Sequence, residues 1–347
     1  MVRKMGIQRY LVKVYKNFLV RKLLRGIGII FATSTLTFFI IRLMPSNPIE
    51  IFINQMMSAY GMSYQDAKAL ALALFTIDLD KPLHEQYIEY LVNLLQGNIG
   101  RSIAISPGTP VMEVVSTFLP WTLFSVSVSL LASFALGVTL GMIAAYRRGG
   151  IFDKVVSAVA AVTSAIPGYL IGILIIVFIG VQFGLINYMR GAYSAGLKPG
   201  FTPEFIADVF LHLAAPFATY VLSTFGGWML SMKASTLSVL GEDYVTVARA
   251  KGLPEGRIRT QYVGRNAILP LFTSLTISLG FIFGGSVLIE NVFVYRGVGR
   301  LLWSSINARD YTVMQAVFLI ITISVIVSNI IADLLYGLID PRIRVGG

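Results

Sequence analysis

Six stretches of this chain, at about 24–44, 121–146, 155–183, 210–232, 269–289 and 312–336, are too apolar to stay in water. A bilayer's hydrocarbon core is about 30 Å thick and takes about 20 mostly apolar residues per helix. Within it every backbone N–H and C=O must be bonded inside the chain, which admits only helices or closed barrels. The runs show no period-two alternation, so helices are expected. Composition agrees: 56% of the 347 residues are hydrophobic and only 13% charged, against roughly a quarter charged in a soluble domain. The third run exceeds one crossing and holds Pro167, with Gly180 and Gly184 near its end, so a kink or break is expected there. The run ALALALFTI from Ala69 to Ile77 lies between Lys68 and Asp78. It is under half the length a crossing needs and reads as an amphipathic helix outside the membrane.

Six spans put both termini on one side, and basic residues name it. Of the 28 Lys and Arg, 19 fall in segments on the N-terminal side and 8 in the opposite segments, with Arg42 at a boundary. Acidic residues run the other way. Both termini are therefore expected in the cytoplasm, and the net charge of +11 reads as orientation in the lipid membrane rather than as a nucleic-acid footprint. The first 25 residues carry eight Lys or Arg with no uninterrupted apolar core or small-residue cleavage site ahead of the first span, so a cleaved signal peptide is not expected. There is no cysteine, which excludes disulfides, thiolate metal sites and thiol redox chemistry.

The organisation that follows is 1–44, the cytoplasmic N-terminus and first span; 45–120, a small extracytoplasmic helical domain; and 121–347, a core of five spans with the cytoplasmic C-terminus. In the outer domain Tyr87, Tyr90, Leu91, Leu94 and Leu95 fall at helical spacing. Gly184 to Phe205 reads as an outer loop with a short helix starting at Pro203. The inner loop 233–268 contains ARAKGLPEGRIRTQYVGRNAILP, from Ala248 to Pro270. It is helix-compatible up to Gly252, a natural helix terminus, and Pro254 suits the first turn of a new helix. Arg257, Gln261 and Arg265 recur every four residues as a cationic row beside an apolar row of Ile258 and Tyr262. The pattern describes a helix–turn–helix on the membrane surface. It serves either to hold the flanking spans against anionic headgroups or to dock a cytosolic partner. No Gly-x-x-x-x-Gly-Lys-Ser/Thr run occurs in the chain, so nucleotide hydrolysis by a P-loop is excluded.

The stretch EDYVTVARAKGLPEGRIRTQYVGRNAILP resembles the cytoplasmic "EAA" loop of binding-protein-dependent ABC importer permeases, in the form of the dipeptide/oligopeptide/nickel branch. The likeness continues in FFIIRLMPSNPIE, DKPLHEQYIEYLVNLLQGNIGRSI, YRRGGIFDKVV, VLIENVFVYRGVGRLLWSSINARDYTVMQAV and DLLYGLIDPRIR, in order along the chain. Thr246, Val247 and Ala248 stand where Glu-Ala-Ala is general, and Arg296 and Thr312 where Pro is common. The resemblance implies an all-α polytopic protein with the type I ABC importer permease fold, a cytoplasmic coupling helix and the long outer domain of the first permease of a pair. It implies a prokaryotic cell membrane, a homologous second permease, two ATPase subunits and an external substrate-binding protein. No cofactor is implied on this chain; ATP and Mg belong to the ATPases. The implied solute is a di- or oligopeptide, with an oligosaccharide or a nickel chelate as alternatives. Asp243, Ala248, Arg249, Ala250, Lys251, Gly252, Pro254 and Arg257 would then form the ATPase-coupling element. Ala248 and Ala250 would allow close approach, Gly252 the turn, and Arg249, Lys251 and Arg257 pairing with acidic groups.

In the fifth span Thr276, Gly280 and Gly284 lie one turn apart. Such a stripe serves helix packing or lines a translocation path. Apart from Arg25 and Arg42 at the two ends of the first span, and tyrosines, the ionisable residues within the spans are His212 and Asp333. That set is too poor for a proton-coupled carrier or an intramembrane protease, so no catalytic or metal-binding residue is expected. A non-ABC channel or secondary transporter is the alternative on composition alone.

Overall fold

The computed structural model describes residues 18–43, 48–74, 81–282 and 287–339. Its helices are α1 (Phe18–Arg42), α2 (Pro48–Tyr60), α3 (Tyr64–Leu74), α4 (Leu83–Leu95), α5 (Val111–Tyr146), α6 (Ile151–Ala165), α7 (Gly168–Ile175) and α8 (Pro203–Leu240). There follow α9 (Asp243–Ala250), α10 (Glu255–Arg257), α11 (Leu269–Phe281), α12 (Val287–Val292), α13 (Val298–Ala308) and α14 (Tyr311–Ile339). Among the described residues the only β feature is a bridge between Arg101 and Pro110. Four helices, α1, α5, α8 and α14, are long and apolar enough to cross a bilayer. A fifth crossing is available if α6 and the segment Gly168–Val181 count as one span bent by 101°. The bend falls at Pro167, where Ile166 is extended because a residue preceding proline is pushed out of the helical region. The expected span 269–289 holds α11 and the start of α12, with 283–286, including Gly284, outside the described residues.

The chain divides into two compact units, residues 1–119 with 301–347, and residues 120–300. In the first, α1 leaves Leu23, Ile27 and Phe31, one turn apart, about half exposed, an apolar stripe for lipid. Gly26 packs against α14, where an added Cβ would lie 2.8 Å from the Ile326 side chain. Phe38 is fully buried against Tyr87 and Tyr90 of α4, and Thr35 bonds the Tyr87 hydroxyl at 2.7 Å. The run from Ala69 lies in α3 as far as Leu74, with residues 75–77 outside the described residues; Ala67 and Ala71 of this helix are buried in a core with Ile41, Phe52, Ile53, Ile103 and Tyr311. Asp310 closes this unit. Its fully buried carboxylate accepts bonds at one oxygen from the Ser102 hydroxyl (2.5 Å) and from the amides of Ile103 (3.0 Å), Ala104 (2.9 Å) and Ile105 (3.0 Å). The other oxygen accepts from the Thr312 hydroxyl (3.0 Å) and the Val313 amide (3.2 Å) at the start of α14.

In the second unit α8 runs 38 residues, about 57 Å at 1.5 Å per residue, so it continues past the apolar run 210–232 at both ends. It starts at Pro203, capped by the Thr202 hydroxyl, which accepts from the Phe205 amide. The expected short helix and span four are thus one element. Small residues let helices meet backbone to backbone. An added Cβ would lie 2.4 Å from the Met229 carbonyl at Gly141 of α5, and 2.3 Å from the Ala160 carbonyl of α6 at Gly226. An ion pair between Lys233 and Asp153 fastens α8 to the first turn of α6, and the Lys233 ammonium also donates to the Ser157 hydroxyl at 2.9 Å. Near the other end of α8, buried His212 bonds the Asp208 carbonyl at 2.9 Å. The Asp208 carboxylate holds the loop by accepting from the Ser194 amide and hydroxyl, both at 2.7 Å. Glu290 of α12 is buried as well. It accepts from the Thr122 hydroxyl (2.9 Å) and the Arg300 amide (3.1 Å), in a cradle that Gly297 and Gly299 leave open.

Candidate functional site

The basic insert is a folded corner, built on the end of α8. That helix runs without interruption to Leu240. After Gly241, α9 places Val245 and Ala248 on its inner side, both buried. The chain reverses at Gly252, whose φ of +73° lies where a Cβ is disfavoured. The Gly252 amide donates to the Arg249 carbonyl at 2.9 Å and the Leu253 amide to the Ala248 carbonyl at 3.3 Å, the paired bonds with which a left-handed residue ends a helix. Pro254 caps α10, and Arg249 Nε bridges to Glu255 Oε1 at 3.0 Å across the turn.

Beyond α10 the segment Ile258–Gly264 is π-helical, with bonds reaching five residues rather than four. This changes the face read from four-residue spacing. Ile258 and Val263, five apart, are the buried pair, and Tyr262 packs beside them, partly buried. Arg257 Nε still donates to Gln261 Oε1 at 3.0 Å. The four inward residues Val245, Ala248, Ile258 and Val263 form one apolar cluster, against which Tyr146, Val239, Leu240, Leu253 and Tyr262 pack. Arg259 sits over the Tyr146 ring at 4.9 Å. The Ser235 hydroxyl donates to the Ala267 carbonyl at 2.7 Å, stitching the far end of the insert back to α8. The corner is therefore tied to α8 at both of its ends and runs on into α11.

Of the eight residues expected to couple, Asp243, Arg249, Ala250, Lys251, Gly252, Pro254 and Arg257 are exposed on this corner. Ala248 faces the internal cluster, so its small size serves packing within the insert. Tyr244 and Val247 join the exposed face and were not singled out by the sequence, where they read as ordinary helix residues. Partial burial and neighbouring Glu242 raise the Tyr244 phenol's pKa above its ordinary value, against a hydrogen bond with Asn266. The outward surface is thus short, mixed apolar and cationic, and stiffly mounted.

A second site lies between α8 and α11, an open cavity of about 650 Å³. From α8 it takes Thr224, Trp228, Ser231 and Ser235, and from α11 Ser274 and Ser278; none of the residues lining it is charged. The spacing of three, four and seven puts each set on one helix face. Ser274 and Ser278 donate to the carbonyls four residues back and keep acceptor lone pairs for the cavity. Thr276 and Gly280, the residues expected to line a path, are both buried; an offset of two residues from Ser274 and Ser278 turns them to the opposite face of α11. Gly284 lies outside the described residues.

The chain matches the family model described as binding-protein-dependent transport system inner membrane component over residues 137–345. It matches the N-terminal model of the same systems' membrane component over residues 15–116. It is 34% identical to the di/tripeptide transport system permease protein DppB of Pseudomonas aeruginosa, covering 94% of this chain and 98% of that protein. It is 30% identical to the oligopeptide transport system permease protein AppB of Bacillus subtilis, covering 94% and 99%. Against the glutathione transport system permease protein GsiC of Escherichia coli it is also 30% identical, again covering 94% and 99%. A chain of the MetNI methionine ABC transporter in an inward facing conformation superposes with a TM-score of 0.53 at 19% identity, covering 67% of this chain and 98% of that one. At that identity the likeness is one of fold.

Proposed function

Because this chain belongs to the family of binding-protein-dependent transport system inner membrane components, we propose that it forms half of a membrane pathway for di- or oligopeptides and receives work at the corner Asp243–Arg257. It is the permease component of an ABC importer, a multi-pass inner-membrane protein and not an enzyme; ATP hydrolysis lies in separate subunits. The peptide assignment is supported by relatives named for di/tripeptide, oligopeptide and glutathione transport that align over nearly the whole chain.

The observation that carries the coupling role is mechanical. The exposed corner is continuous with α8 at one end and bonded back to it through Ser235 and Ala267 at the other. A displacement imposed on Tyr244, Val247 and Lys251 would therefore pass to α8 at both ends of the insert and on to α11. Two ATPase subunits carrying ATP and Mg would engage this corner and its counterpart on a homologous second permease, with acidic groups meeting Arg249, Lys251 and Arg257. Both termini would be cytoplasmic, residues 1–44 and 121–347 supplying the membrane core. Residues 45–120 would form the extracytoplasmic domain that meets the substrate-binding protein. The cavity between α8 and α11 would line the path: hydroxyls without charge can exchange hydrogen bonds with a peptide backbone whatever its side chains.

The test is reconstitution of the assembled importer with Gly252→Asp. Aspartate tolerates the left-handed region better than most residues, so the turn survives while an acidic group enters the docking face. Peptide uptake should fall at least tenfold while the variant inserts normally and the ATPases still turn over. Wild-type uptake per ATP hydrolysed would refute the coupling role.

A further inference from the structure

Helix α4, in the first unit, presents three faces. Tyr87 and Tyr90 pack on α1: their ring centroids lie 5.3 and 5.4 Å from that of Phe38, and the Tyr87 hydroxyl bonds Thr35. Glu85, Glu89 and Asn93 recur every four residues as a polar row. Glu89 is ion-paired with Lys81, and Glu89 and Asn93 line a small pocket with Arg42 at the end of α1. The third face carries Ile88, Val92 and Leu95, at spacings of four and three. The described residues leave it bare: these three are 57%, 46% and 89% exposed.

The height of this helix follows from its contacts with α1. Arg42 ends α1, and its guanidinium carbon lies 5.7 Å from the ring centroid of Tyr311, the first residue of α14. Two membrane-crossing helices thus end level with each other and mark the edge of the apolar layer. Phe38 and Thr35 stand four and seven residues inside that edge, about 6 and 10 Å at 1.5 Å per residue. An amphipathic helix in a membrane interface buries its apolar face about 5–10 Å into the boundary between headgroups and acyl chains. The stripe that α4 covers points the same way. Leu24, Ile27 and Phe31, about half exposed, continue at helical spacing into Thr35, Phe38 and Arg42. One face of α1 is therefore open to lipid in the half nearer the N-terminus and roofed by α4 in the other half, so the outward face of the roof inherits the lipid. A water-soluble partner stays outside this layer and would meet the polar row instead.

We propose that α4 lies within the membrane leaflet opposite the N-terminus, with Ile88, Val92 and Leu95 set among lipid acyl chains rather than in the aqueous part of the 45–120 domain. The inference rests on the membrane reading of this chain and holds whichever solute the importer carries. Lipid, as well as α1, then fixes the height of that domain above the membrane.

The chain has no cysteine, so one introduced thiol carries a nitroxide label. The experiment uses the full chain assembled with cysteine-free partner subunits in phospholipid nanodiscs, labelled at Ile88→Cys, Val92→Cys or Glu85→Cys. Collision of the nitroxide with oxygen, which concentrates in acyl chains, is compared with collision with chromium oxalate, which stays in water. The ratio of oxygen to oxalate collision should be several times higher at positions 88 and 92 than at 85. A high oxalate collision at all three would place α4 in water, and low collision with both reagents at 88 and 92 would mean that another protein chain covers the face; either result overturns the proposal. A second measurement needs no variant. In wild-type complex reconstituted with a phospholipid bearing a diazirine on its acyl chain, illumination should leave lipid adducts on the peptide that contains residues 88–95, and a peptide free of adducts while α1 is labelled would overturn it as well. Peptide uptake is not read in either measurement, so failure here leaves the transport assignment untouched.

Discussion

Gly226 and Gly227 are neighbours on α8, and the structure assigns them opposite fates on substitution by alanine. At Gly226 the new Cβ would lie 2.3 Å from both the Ala160 carbonyl oxygen and the Ser164 hydroxyl. Serine can rotate away; the carbonyl belongs to α6 and cannot. Ordinary contact begins near about 3.4 Å, so α6 and α8 would have to part by roughly 1 Å, an overpacking cost of about 1–3 kcal/mol. At Gly227 nothing lies within 4 Å. Each substitution also gains the helix preference of Ala over Gly, about 1 kcal/mol. That gain is common to two adjacent positions of one helix, so the difference between the variants isolates the steric term. Gly226→Ala should melt lower than Gly227→Ala by an amount corresponding to about 1–3 kcal/mol, with Gly227→Ala at or above wild type. Thermal unfolding of the purified protein, followed by tryptophan fluorescence, reads both. Gly227 also lines the cavity between α8 and α11, so Gly227→Leu should lower peptide uptake while keeping wild-type stability. Equal melting of the two alanine variants would refute the packing of α6 on α8, and undiminished uptake by Gly227→Leu would remove the cavity from the path.

Asp310→Asn retains the shape but turns a donor toward hydroxyl and amide groups that themselves donate; it should destabilise the chain by about 2–4 kcal/mol, read as a loss of folded yield and a lower melting temperature. Gly297→Ala would put a Cβ 2.2 Å from the Glu290 carboxyl group and should be strongly destabilising, with Glu290→Ala partly relieving it in a double-mutant cycle on melting temperature. Arg249 and Glu255 are about half exposed, so Glu255→Gln should cost less than about 1 kcal/mol; a large loss of stability in that variant would mean the corner depends on the ion pair rather than on its buried cluster.

Much of this architecture could be read from residue type and order. Apolar runs announce membrane helices because lipid leaves the backbone no alternative, and Gly252 and Pro254 mark the corner because few other residues suit those places. Pro167 announced the break for the same reason. The register of the insert was hidden: a π-helical turn leaves no compositional mark, and only the joint burial of Ile258 and Val263 reveals it. The cavity was hidden too, since Ser274 and Ser278 differ from Thr276 and Gly280 only in which side of α11 meets α8. The extent of α8 escaped notice because its polar continuations carry no stop signal. The role of Asp310 is not legible because four of its six partners lie about two hundred positions earlier, a relation no local window contains.

That separation also bears on how the molecule is made. Ser102 and Asp310 are 208 residues apart, which at ordinary translation speeds is roughly 10–40 s of synthesis. Throughout that interval the amides of Ile103, Ala104 and Ile105 lack the carboxylate that will gather them. The segment around residues 101–106 cannot reach its final form until residue 310, just ahead of the last membrane helix, has emerged, so the first unit is begun near the N-terminus and completed near the C-terminus. Ribosomes stalled before residue 310 would hold that segment open to protease, and those stalled well beyond it would not.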